Sequence, residues 1–434
     1  MGSEHGLQQR YRVSRSVLRE AVRLVEHHQV ARMRRGRGGG LLITEPDAVP
    51  ATRAVVIYLE HRGTTITDLL HARLLLEPLA ASLAAERIDE GGIDRLRAVV
   101  DAMPSDDFHA ELAQHAKNPV LQLFIDVLMR LTQPYCPASG SRAKSDSADM
   151  RATNQMRDEH SDIVAAVTAG DSARAKTLSE RHVESVTTWL QTGPRTRPRR
   201  HSMSPRASHG KLAEVLAATI REDIVASGWP VGWVLGSEVQ LLERYRVSRS
   251  VLREAVRLLE YHTVAQMRRG PGGGLVVSKP QAQASIDTIA LYLQYRKPSR
   301  ENLRVVREAI EIDNVAKIIR RRAESGVQTF LDRYRLAHNE IAGDLRKAAA
   351  AESSFHTGLA ELAGNAVLEL FLRILIELLR RHSASPVQQI PSLADVAEIK
   401  PAHERIVAAI IDGDDSLARY RTRRHLDAVA SWWL

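Results

Sequence analysis

Residues 10–41 read RYRVSRSVLREAVRLVEHHQVARMRRGRGGGL, and residues 244–275 read RYRVSRSVLREAVRLLEYHTVAQMRRGPGGGL. The two stretches lie 234 positions apart in one chain and differ at five of 32 positions. Leu252, Val256 and Leu259 recur at helical spacing in the second copy, as do Leu18, Val22 and Val25 in the first. Charge fills the opposite face, with seven arginines against two acids over 244–269. A basic amphipathic helix followed by a basic glycine-rich turn, present twice, implies two equivalent grips on a polyanion.

Working outward, the 434 residues suffice for several domains, and the repeat favours an even number. A 44% hydrophobic content supports true cores, while 4% aromatics and the scarcity of β-rich runs point to a mainly helical chain. The net charge of +9 suits nucleic acid or another anionic surface. The single Cys136 excludes an internal disulfide framework and fits a reducing compartment. No signal-peptide pattern opens the chain, and Glu369, Arg373 and Glu377 interrupt its most apolar run. The expected location is cytoplasmic, at the bacterial nucleoid, with no membrane partner.

Residues 191–210 carry five arginines, three prolines and no acid, and read as a basic flexible linker. On each side the pattern repeats. In the second half, Leu212, Val215, Leu216, Ile220 and Ile224 form one apolar stripe. Ser237 is placed to cap a second helix, and Ser248 stands at the start of a third that runs to about Tyr261. Two short β-prone segments, 264–269 and 275–278, flank the glycine turn. Helices are expected at 284–293, 301–322, 327–351, 352–362, 366–382, 399–411 and 416–432.

This order of helices, with a serine-capped third helix and a glycine wing, resembles the winged helix-turn-helix of the GntR family of bacterial repressors. VSRSVLREAVRLLE at 247–260, and its near-copy at 13–26, carry the likeness. Arginines in the first turns of such a helix can pair bidentately with guanine, at about 1–3 kcal/mol of discrimination each. The expected DNA contacts are Ser14, Arg15, Ser16, Arg19, Arg34, Arg35 and Gly36, with Ser248, Arg249, Ser250, Arg253, Arg268, Arg269 and Gly270. Val239 and His5 stand where the family usually has an arginine. The first copy opens at Gly2-Ser3-Glu4, the counterpart of Gly236-Ser237-Glu238, so its first helix is expected to be missing and its apolar underside partly exposed.

The helical remainder resembles the FadR-type ligand-binding domain. Its marks are Arg307/Glu311 and Arg73/Glu77, then Phe355-His356, 363–365 (AGN), and His403 with His425. Many members of that family hold a divalent metal with an Asp, a His four residues on, and two later histidines. The resemblance implies Glu352, His356, His403 and His425 as ligands, with zinc favoured and nickel or manganese also compatible. His109, His160 and His182 recur in the first half as a degenerate set, with Ser105 at the carboxylate position and Asp106 out of phase. Arg307 and Arg73 are candidate effector contacts, and the alternative reading for Arg307 is simple pairing with Glu311.

The expected architecture is mainly α: a truncated winged helix-turn-helix (1–46), a helical sensor (47–190), the linker (191–210), a complete winged helix-turn-helix (211–280) and a second sensor with a metal site (281–434). The reading is a non-enzymatic transcriptional regulator, a repressor by family likeness. It implies an operator with two similar half-sites, and a carboxylate or acyl-CoA effector. The two halves pair as a built-in pseudo-dimer, and further association of chains is left open. A constitutive DNA-architectural protein with relic sensors and a metal-dependent hydrolase are the alternatives.

Overall fold

The computed structural model describes residues 2–27, 30–34, 36, 39–102, 107–135, 147–192, 209–336, 345–383 and 393–433. Arg35, Cys136, Ser105, Asp106 and most of the basic linker lie outside these residues. The chain divides into two compact units that each draw on both repeats: residues 1–63 with 196–295, and residues 64–195 with 296–434.

The first unit holds both heads. Helices α1 (Glu4–Tyr11) and α2 (Arg15–His27), the hairpin β1 (Ala31–Arg34) with β2 (Gly40–Ile43), and α3 (Ala48–His61) come from the first repeat. The chain then leaves this unit through α4 (Ile66–Arg87), α5 (Glu90–Asp101), α6 (Phe108–His115), α7 (Pro119–Thr132), α8 (Ser147–Thr168) and α9 (Ser172–Thr192). The second repeat supplies the head α10 (His209–Ala226), α11 (Glu238–Tyr245), α12 (Arg249–Tyr261), β3 (Ala265–Arg268), β4 (Gly274–Val277) and α13 (Ala282–Arg296).

Local chemistry explains these boundaries. Ser237 and Gln240 close a capping box on α11, and Ser248 Oγ accepts from Val251 N to start α12. The strands β3 and β4 pair antiparallel from Ala265–Val277 to Arg268–Gly274. A Cβ at Gly274 would lie 2.5 Å from the Gly236 carbonyl, so only glycine allows that strand to pass. Leu216, Ile220 and Ile224 of α10 pack with Leu252, Val256 and Leu259 of α12 beneath the hairpin.

The first head has the same hairpin register, Ala31–Ile43 to Arg34–Gly40, and its described residues hold no helix equivalent to α10. Its buried core is Leu7, Leu18, Val22, Ala31 and Leu41. Val17 is 54% exposed and Ile43 72%, whereas their counterparts Val251 and Val277 are 4% and 1% exposed.

Helices α3 and α13, which sequence reading places with the sensors, belong instead to the unit of the heads. Ile57 of α3 enters the core of the second head, and Glu60 pairs with Arg221 of α10 at 3.1 Å. Ser285 of α13 donates to the Ala54 carbonyl at 2.9 Å. Their nearly all-apolar inner faces have more to bury than an exposed connector tolerates.

The second unit comprises α4–α9 and, from the second repeat, α14 (Arg300–Arg320), α15 (Ser325–Leu336), α16 (Leu345–Ala363), α17 (Ala366–Ser383), α18 (Leu393–Asp412) and α19 (Asp415–Trp433). Expected breaks at 351–352 are absent: α16 runs through them, because its 348–351 alanine run favours helix and contains no capping side chain. No described helix is long and apolar enough to cross a membrane.

Candidate DNA interface and metal centre

On α12, Arg249, Ser250 and Arg253 are exposed while Leu252, Val256 and Leu259 are buried. The helix therefore presents its arginines outward as a fixed row. The same holds for Arg15, Ser16 and Arg19 on α2. Ser14 and Ser248 are exposed too, but their hydroxyls are engaged as caps, receiving Val17 N and Val251 N. Sequence reading missed one partner. Glu238 Oε1 lies 3.2 Å from Arg249 Nε and 3.6 Å from Arg253 Nε. Glu4 does the same for Arg15 and Arg19, at 3.0 and 3.2 Å.

The wing is tied to the helix by a carboxylate. Met267 N donates to Glu260 Oε1 at 2.9 Å, and Met33 N to Glu26 Oε1 at 2.7 Å. Beyond those anchors Arg268, Arg269 and Arg34 are exposed, and Gly270 and Gly36 turn the chain at φ 99° and 102°.

In the second bundle four donors converge. Glu352 and His356 lie one turn apart on α16, His403 sits on α18 and His425 on α19, and all are buried. His403 Nε2 lies 2.9 Å from Glu352 Oε2 and 3.2 Å from His425 Nε2. His425 Nε2 is 3.1 Å from His356 Nε2 and 3.1 Å from Glu352 Oε2. The three Nε2 atoms and the Glu352 carboxylate thus gather within 4.8 Å of one another, each offering one ligand atom. Four ligands about 2.1 Å from a tetrahedral ion stand about 3.4 Å apart, close to the spacing here. The set therefore fits a divalent metal.

Around the donors stands a second layer. Glu311 accepts from His356 Nδ1 and from Arg307 Nε, the latter at 2.6 Å. Arg307 Nη2 also reaches Glu352 Oε1 at 3.3 Å. Burial alone would push His356 down, but the Glu311 and Glu352 carboxylates outweigh it and raise it to about 9. For His403 burial dominates, and it falls to about 4. Glu352, despite its burial, is held well below the ordinary carboxylate range by His425 and His356. Sequence reading treated Glu311 only as a mate for Arg307. Its spacing gave no hint of His356, which lies 45 positions further along.

The first bundle brings together His109, His160 and His182, also buried. His160 and His182 approach at 3.1 Å through Nε2. Glu77 Oε2 holds His109 Nδ1 at 2.9 Å and Glu159 Oε2 holds His182 Nδ1 at 2.8 Å. Arg73 pairs with Glu77 at 2.5 Å, and its Nη2 lies 3.5 Å from His109 Nε2. Among the described residues no carboxylate joins this cluster as Glu352 does in the other.

Comparison with known proteins follows the same division. The description "Bacterial regulatory proteins, gntR family" matches residues 212–275, and the FCD domain matches 68–185 and again 302–428. The chain belongs to the GntR family, with the FCD domain present twice. It is 25% identical over 198 residues to the HTH-type transcriptional regulator LutR of Bacillus subtilis (strain 168), covering 43% of this chain and 89% of LutR. It is 24% identical over 186 residues to the Exu regulon transcriptional regulator of Escherichia coli (strain K12), covering 40% of this chain and 69% of that regulator. A solved Streptococcus agalactiae GntR aligns with 50% of this chain and 98% of its own, at 21% identity and a TM-score of 0.39. These domains and relatives mark a DNA-binding transcriptional regulator rather than an enzyme.

Proposed function

We propose that this GntR-family regulator is a repressor that reads an operator with two similar half-sites and releases it on binding a small carboxylate. The carrying observation is the twin presentation of one arginine row: Arg15 and Arg19 on α2, Arg249 and Arg253 on α12, each exposed on a helix whose reverse face is buried. Near-identical rows read near-identical bases. Wing residues Arg34, Arg35, Gly36, Arg268, Arg269 and Gly270 lie along the backbone or minor groove, and Ser14, Ser16, Ser248 and Ser250 line the helix starts.

In the sensor we assign Glu352, His356, His403 and His425 as ligands of a divalent metal, zinc by donor chemistry. FCD domains often bind metal, which favours the assignment. A metal held there would have to expand its coordination to take an effector carboxylate, with Arg307 beside it. His109, His160 and His182 with Arg73 make a degenerate counterpart. The two halves pair within one chain as a pseudo-dimer, so effector binding in the bundles biases the pose of both heads. The regulator then sits with its operator DNA.

The test is an operator titration of the full chain with and without zinc and a panel of small carboxylates. Specific binding weakened by one acid is expected. Binding indifferent to every acid, with metal present, would sink effector control and favour a constitutive architectural role.

A further inference from the structure

The two bundles meet through contacts that an approximate twofold would exchange. Asn118 donates from Nδ2 to the Asn302 carbonyl, and Asn365 does the same to Asp68, each at 3.0 Å. Phe124 and Phe371, at matching places on α7 and α17, stack on one another at 3.9 Å with rings 6° from parallel.

One patch breaks that symmetry. His71 of α4 places Nε2 3.1 Å from Asp313 Oδ1 on α14. Its Nδ1 accepts from Lys317 Nζ at 3.0 Å, with Asn365 Nδ2 3.4 Å away. The three side chains are only 28%, 19% and 22% exposed. The repeat offset of 234 carries His71 to Val305, Asp313 to Leu79 and Lys317 to Leu83. One side of the axis is thus a charged network, and its counterpart is three aliphatic residues.

We propose that His71, Asp313 and Lys317 are a pairing code by which the first bundle selects the second and rejects a like bundle. The inference rests on the pairing of halves proposed above. Two second bundles would set Asp313 and Lys317 against Val305 twice, stranding partly buried charges. Two first bundles would set His71 against Leu79 and Leu83 twice, leaving an imidazole without partners. Only the unlike pair satisfies both sides at once. Burial already pushes Lys317 below its ordinary range, so its carboxylate and imidazole neighbours matter to it. Duplication followed by divergence at these positions gives each chain one bundle of each kind, and like bundles of neighbouring chains gain nothing by meeting.

The test uses full-length chains. Exchanging only the small side, His71→Val with Val305→His, misplaces the imidazole and should lower the melting temperature by more than about 5 °C. Adding Leu79→Asp, Leu83→Lys, Asp313→Leu and Lys317→Leu moves the whole code across the axis. That variant should melt within about 2 °C of the wild type. A first variant that melts like the wild type overturns the code, as does a complete exchange that stays low or does not fold. A parallel double-mutant cycle of His71→Val and Lys317→Leu tests the pairing itself. Additive losses would mean the bundles do not meet as described, sinking both readings. Coupled losses with a harmless first exchange sink the code alone.

Discussion

Replacing Glu311 by Gln is the sharpest probe of the proposed metal centre, because Glu311 is not among the proposed donors yet holds one of them, His356. The substitution preserves shape in a site where Glu311 is 3% exposed, and its amide oxygen can still accept from His356 Nδ1. What disappears is the negative charge that makes the far nitrogen a stronger donor and balances Arg307, whose Nε sits 2.6 Å away. Outer carboxylates of this kind are worth about 10- to 100-fold in metal affinity, or roughly 1.4–2.7 kcal/mol. Competition for zinc against a chromophoric chelator, on wild type and Glu311→Gln in parallel, reads that ratio directly. The counterpart Glu77→Gln, in the bundle without a Glu352 equivalent, serves as the internal comparison. An affinity unchanged within about twofold would refute the reasoning, since Nδ1 would then be indifferent to its partner.

Further outcomes follow from the same geometry. Arg253→Ala should remove about 1–3 kcal/mol of preference for operator over scrambled duplex, while binding to scrambled DNA falls much less; equal losses on both would contradict base reading. Because the neighbouring carboxylates raise His356 to about 9, it is protonated at pH 8 in the metal-free chain. Zinc uptake there should release about one proton, seen as a buffer-dependent calorimetric heat, and apparent affinity should climb with pH until about 9 and then level off. Release of no proton would remove His356 from the donor set. His403→Ala should lose zinc and any effector response while operator binding stays intact; retained stoichiometric zinc by elemental analysis would break the assignment. Leu252→Ala should cost about 2–5 kcal/mol in urea unfolding followed by Trp229 fluorescence, since Leu252 is 1% exposed within the larger head core. A loss well under that range would mean the second head is no better packed than the first.

Much of the fold was legible because it depends on local patterns. The apolar stripe Leu252, Val256, Leu259 and the serines at 237 and 248 specify helices and their starts through spacing and capping, which need no distant partner. Aligning the repeat with itself sets Val17 against Val251 and Ile43 against Val277, and the first of each pair is exposed while the second is buried. The candidate donors Glu352, His356, His403 and His425 follow from the spacing that the family resemblance implies, whereas chain order alone does not say that they converge. Other features depend on which surfaces meet. Ile57 in the core of the second head, Glu238 beside the reading arginines, Glu311 behind His356, and His71 against Asp313 and Lys317 all join residues that carry no mutual signal along the chain. Sequence fixes periodicity and caps because these act within a few residues. Partner choice is a long-range competition for burial and charge compensation, and it is decided only when helices from both repeats have packed together.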